Sequence, residues 1–425
     1  MDGRGRDGRG RGAGGMAGLA AGADLAPPAG DAASRAEALD GVLAAAVAQG
    51  LVPGVAAAAA TAGGVLYRGV QGAGLAADSV FWVAAMTELA TAVLALGLVE
   101  EGGLSLHRPL GALLPELEAP QVLEGFSRDG EPILRAAARP ITLHHLLTHT
   151  AGIGIEFWDA TLLRFGRAAG VPPALERRLA GLRLPLVFDP GERWLYGMAG
   201  DWVGRAIEAA TGLSLAEAMQ ARLLGPLGMT DTGFALDPGR AARLAPLHRR
   251  GPGGMCRAEP PYAADGEYHS GGSGLFSTVR DMLVLTRMLL GRGMLDGVRV
   301  LRAETVAAMG AHQIGGLRPA PLPAARPEMS CDVALPEAGE PGWGLAGLVD
   351  TAPSPHGRGV GTLSWGGVTN TFFWMDAVRG VSGVLLVPLL PFADHGALAA
   401  SRAFEAAVYA ALPRDEGPGR RSKEG

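Results

Sequence analysis

Apolar residues recur at helical spacing from Ala33 to Gln49, with Leu39, Val42, Leu43 and Ala46 on one face, and this predicts an amphipathic helix. Two short apolar runs follow, Gly54 to Ala60 and Gly64 to Val70, and the turn-forming TAGG between them predicts a hairpin. Thr87 to Glu101 is strongly apolar and closes on Gly102 and Gly103, the pattern of a buried helix. From Pro109 to Pro336 the spacing predicts helices at Leu143 to Thr148, Asp201 to Thr211, Leu215 to Leu224 and Thr278 to Leu290, separated by long Gly/Pro-rich loops.

In the final third the period changes to that of strands, at Gly344 to Val349, Gly361 to Trp365, Thr371 to Asp376 and Val381 to Leu386. A last helix runs from His395 to Leu412. Early and late strands, with helices first and last, predict an α/β (α+β) domain: one antiparallel sheet assembled from both ends of the chain. It spans residues 31–413, with a large helical region inserted at about 105–336. No internal repeat is present.

Composition narrows what this domain does. The 425 residues are 48% hydrophobic, ample for a core, and 37 Lys+Arg against 42 Asp+Glu give a net charge of −5 with no basic block in the body of the chain. Nucleic acid is not an expected partner. The Gly/Arg-rich residues 1–30 bury nothing and are expected to be disordered, as is the polar tail 414–425; Met1 and Met16 are both candidate starts.

The uncharged stretch from Leu43 to Tyr67 is interrupted by Gly50, Pro53, Gly54, Gly63 and Gly64, so it is read as helix and hairpin rather than a membrane span. No leucine-rich segment follows the first arginines, and the cytoplasm is the expected compartment. Cys256 and Cys331 have no metal-ligand or disulfide spacing and read as free thiols. The only lysine is Lys423.

Four ordered segments carry a resemblance: ITLHHLLTHTAGIG (Ile141 to Gly154), DPGERWLYGMAGDWVGRAIEAATGLSL (Asp189 to Leu215), GPLGMTDTGF (Gly225 to Phe234) and SGGSGLFSTVRDM (Ser270 to Met282). Together they resemble the serine β-lactamase-related family, which includes class C β-lactamases, penicillin-binding D,D-peptidases and a branch of carboxylesterases and acyltransferases. The resemblance implies a β-lactamase/transpeptidase-like fold from about Ala33 to Leu412. It implies no cofactor and no metal.

In that family an S-x-x-K motif opens a buried helix; the serine is acylated, and the lysine one turn on, on the same face, manages its proton. A tyrosine from Y-x-N is the partner base. A strand carrying K-T-G, H-x-G or W-x-G closes the other wall, and two backbone N–H groups form the oxyanion hole.

Carried over, the serine and lysine positions hold Ala85 and Glu88 of FWVAAMTELATA. Tyr196 matches the tyrosine, with Met198 where asparagine is usual. Trp365, Gly366 and Gly367 of TLSWGGVTNTFFWMD match the strand, which makes Val368 the second oxyanion donor. Met198 and Trp365 resemble the esterase and acyltransferase branch.

An alanine methyl cannot attack a carbonyl, and loss of such a nucleophile elsewhere costs roughly a millionfold in rate. A carboxylate at position 88 would also hold Tyr196 neutral, where a lysine would favour the phenolate. The first expectation is therefore an impaired member of the fold that keeps a cleft for a small ester, amide or carboxylate. The alternative is an ester hydrolase in which Glu88 and Tyr196 activate a water; the third is a purely structural product.

Ser273 and Ser79 are poor substitute nucleophiles, since neither sits in a nucleophile elbow. His144, His145 and His149 lack the acidic partner of a zinc motif and are read as structural. Phe157, Trp158, Trp194, Trp343 and Phe373 are candidate walls of an acyl pocket.

Overall fold

The computed structural model describes residues 32–335 and 339–412. The expected tails at 1–30 and 414–425, and Lys423 with them, lie outside the described residues.

The first helix, α1 (Ala32–Ala48), leads into a hairpin of β1 (Gly54–Thr61) and β2 (Gly64–Gly72). After α2 (Thr87–Glu100) come α3 (Ala160–Ala169), α4 (Ala199–Thr211) and α5 (Val279–Leu290) within the inserted region. The main sheet is completed by β3 (Gly342–Trp343), β4 (Leu348–Val349), β5 (Leu363–Gly367), β6 (Thr371–Asp376) and β7 (Val381–Leu386), and α6 (His395–Ala410) follows them. The sheet order is β3-β4-β5-β6-β7-β1-β2, every pair antiparallel.

The alanine-rich β1 shows why this sheet is buried on both faces. Ala56, Ala58 and Ala60 point into a core shared with α2, α5 and the inserted region, while Val55, Ala57 and Ala59 point into a second core under α1 and α6. Successive side chains on a strand alternate between faces, and small ones admit a layer of helices on each side. On β7, Gly383 leaves room for the Trp374 ring, which a Cβ would meet at 2.1 Å.

Three expectations are corrected. Gly344 to Val349 is not one strand, because a turn at Gly344–Gly347 separates β3 from β4. The predicted helix Leu215 to Leu224 is α-helical only over Leu215–Met219 and widens to a π-turn over Gln220–Leu224. The inserted region also contains a hairpin, Gln121–Phe126 with Pro132–Ala136, that the loop-rich pattern concealed. Among the described residues no helix is long and apolar enough to cross a membrane.

Candidate active site

Ala85 does not lie in α2 itself but in a single 3-10 turn, Ala84–Met86, that opens it. Ala84 holds φ at +46°, a left-handed conformation that costs a non-glycine residue energy and persists only where its surroundings fix it. Here they do. The Thr87 hydroxyl donates to the Ala84 carbonyl at 2.6 Å, the Thr371 hydroxyl to the Val83 carbonyl at 3.1 Å, and the Thr369 hydroxyl to the Trp82 carbonyl at 2.9 Å.

Two of those hydroxyls belong to the segment around β5 and β6, so the turn at Ala85 is tied to the strand bearing Trp365, Gly366 and Gly367. Gly367 permits this approach: a Cβ there would lie 2.3 Å from the Val83 carbonyl oxygen and 3.1 Å from the Ala84 Cβ. The turn that carries Ala85 and the strand that leads into Val368, the two positions to which the resemblance assigns an oxyanion hole, are thus held against each other.

Glu88 follows in the first turn of α2, 8% exposed. The Tyr196 hydroxyl donates to its Oε2 at 2.9 Å, while Oε1 has no hydrogen-bond partner. His149 Nε2 lies 3.7 Å from Oε1, and the His149 ring packs on Tyr196 with centroids 4.5 Å apart. The His149 ring thus packs behind the site, a position that the segment THTAG gives no means of foreseeing. His145 caps the helix Leu143–Leu147 and is not in the site.

Burial, and then the charge of Glu88, push the Tyr196 phenol well above its ordinary range. Tyr196 is therefore a neutral donor, and among the described residues there is no lysine to reverse that.

The remaining residues close the cleft. Ala85, Glu88, Tyr196, Met198, Trp158, Trp365, Gly366 and Val368 all line one cavity of about 50 Å³, together with Phe157, Leu175 and Phe392. Trp158 is held by donating to Ser330 Oγ at 2.9 Å, and its ring meets Tyr196 and Phe392 edge-on. Trp365 lies against Tyr196 with centroids 4.8 Å apart. This volume is far below the roughly 300–1,000 Å³ of pockets for drug-sized ligands, and it suits a short acyl group or a few waters. Of the other aromatics proposed as walls, Trp343 stands behind Tyr196, Phe373 is in the core, and Trp194 lines a different groove.

Sequence reasoning missed Asp201. Its carboxylate lines the cleft, accepts from Ser270 Oγ and from the Gly272 N–H at 3.1 Å, and burial pushes its pKa up to about 6. Ser273 lines the same cavity with its Oγ 3.0 Å from Ser270 Oγ. Ser79 is tied to the Ala76 N–H and is outside the cavity. Cys256 and Cys331 are free, and among the described residues no cluster of ligands could hold a metal.

A family model described as Beta-lactamase matches residues 39–408. Monacolin J acid methylbutanoyltransferase from Aspergillus terreus is 34% identical over 355 residues, covering 79% of this chain and 83% of that one. Lovastatin esterase from Penicillium rubens is 34% identical over 322 residues, covering 72% and 79%. Simvastatin synthase (LovD) from Aspergillus terreus superposes with a TM-score of 0.77 at 28% identity, over 92% of this chain and 100% of that chain.

Proposed function

The chain belongs to the β-lactamase family, in its esterase and acyltransferase branch, and from that premise we propose that it is a catalytically impaired member whose cleft binds a short-chain ester, amide or carboxylate. The observation that carries this reading is the Tyr196–Glu88 hydrogen bond at 2.9 Å beside Ala85. It replaces a cation next to a nucleophile by a carboxylate next to a methyl group. The frame for polarising a carbonyl is kept, and the side chains that would form and protect an acyl-enzyme are not.

A ligand's carbonyl oxygen would accept from the N–H groups of Ala85 and Val368, with its acyl chain against Trp158, Phe157 and Phe392. Binding without acylation stabilises the fold by mass action. Butyrate and methyl butyrate should raise the melting temperature, while p-nitrophenyl butyrate should be turned over at background rate. Turnover well above background would overturn the reading.

A second reading has one observation in its favour: Glu88 Oε1 has no hydrogen-bond partner, and Glu88 lines a cavity with room for a water. Glu88 would act as general base toward that water, with Tyr196 orienting the carboxylate. In that case turnover is measurable and Glu88→Gln abolishes it.

A further inference from the structure

A second concavity of about 800 Å³ lies on the other side of the segment that carries Tyr196, and it shares no lining residue with the cleft. Trp194 and Leu195 face it, α3 forms one wall, and the Gln121–Phe126 strand forms another. Its size is within the range of pockets that hold small organic ligands.

The charges around it are unequal in how they are engaged. The Arg164 guanidinium carbon lies 3.8 Å from the centroid of the Phe126 ring, and that of Arg193 lies 4.6 Å from the centroid of Phe188. Arg193 also donates to the Val187 carbonyl at 3.2 Å. Among the described residues neither arginine has a carboxylate partner. The third, Arg318, is occupied by Glu340 at 3.0 Å. On the acidic side, Glu124 is paired with Arg135 at 2.8 Å, and Asp159 caps α3 by accepting the Leu162 N–H at 2.8 Å.

Two guanidinium groups thus sit over aromatic rings, with donors not taken by any acid among the described residues. Stacking costs the guanidinium none of its in-plane donors, and a planar fork matches a carboxylate in two-point contact. Trp194 and Phe188, both largely buried, line the same concavity.

We propose that this groove is a second ligand site, distinct from the cleft, for an organic anion that joins a carboxylate to a flat apolar body. The carboxylate sits between Arg164 and Arg193, and the apolar body lies on Trp194. The site needs no chemistry at Ala85 or Glu88 and stands apart from the proposed role of the cleft.

Isothermal titration of the full chain with 2-naphthoate, and with methyl 2-naphthoate as its neutral counterpart, tests this. The acid should bind at one site, at least tenfold tighter than the ester, and the double variant Arg164→Ala, Arg193→Ala should weaken it at least tenfold. Both arginines are exposed, so the variant should keep the wild-type melting temperature; should it not, Arg164→Gln and Arg193→Gln taken singly carry the same test. No binding of the acid, equal binding of acid and ester, or unchanged binding in the variants would each overturn the proposal.

Discussion

The Tyr196 hydroxyl donates to Glu88 Oε2 at 2.9 Å, and both groups are buried. This contact satisfies one oxygen of a carboxylate whose other oxygen has no hydrogen-bond partner. Removing the donor leaves the acid stranded, so Tyr196→Phe should destabilise the fold by about 1–3 kcal/mol in urea denaturation. Replacing both partners together, as in Glu88→Leu with Tyr196→Phe, should cost less than Tyr196→Phe alone, because no unpaired charge remains. A double variant costlier than the single one would show that the pair is not held by this bond.

Hydrogen bonds hold the turn at Ala85 beside a cavity shared with Tyr196, so chemistry should be recoverable. Ala85→Ser with Glu88→Lys supplies a hydroxyl and a cation beside Tyr196, which lowers the phenol's pKa by favouring its ionised form. Hydrolysis of p-nitrophenyl butyrate by the double variant should exceed wild type by a factor on the order of 10² or more, out of the roughly 10⁶ that loss of such a nucleophile removes. Ala85→Ser alone should gain far less, since Glu88 keeps Tyr196 neutral. Equal rates in the single and double variants would contradict the role given to position 88.

Asp201 provides a pH signature. Its folded-state pKa is raised from 3.8 to about 6 by burial, so the native state holds this proton more tightly than the unfolded chain. The stabilisation is full below pH 4 and is lost as pH rises through about 6. Asp201→Asn has no proton to lose and can still accept from Ser270 and Gly272. The variant should gain on wild type by roughly 2–3 kcal/mol between pH 4 and pH 7 in denaturant titrations. A difference that stays flat across that interval would contradict the assignment.

How much of this was legible in the sequence depends on the range of the interaction. The sheet, α1, α2, α5 and α6 follow from apolar periodicity, which is local, and the segments around Ala85, Tyr196 and Trp365 follow from short motifs. Their convergence on one cavity came from the resemblance, not from spacing. Asp201 and His149 were opaque because their roles come from contacts across the fold: Ser270 is 69 residues from Asp201. The turn between β3 and β4 was hidden because GWGLAGLV reads as one apolar run, although Gly347 sits at φ +157°. The groove at Arg164 and Arg193 joins four separate segments, and nothing in any one of them marks a shared concavity.

The proposed loss of acylation rests on Ala85, which puts a methyl group where the family's acylated serine stands, in a cleft that Ser273 also lines. Incubation of the full chain with a fluorophosphonate probe, followed by intact-mass and peptide mass spectrometry, tests it most directly. The account predicts unmodified protein, with labelling appearing at position 85 in the Ala85→Ser, Glu88→Lys variant. A stoichiometric adduct on the wild-type chain at Ser273, Tyr196 or another cleft residue would contradict it.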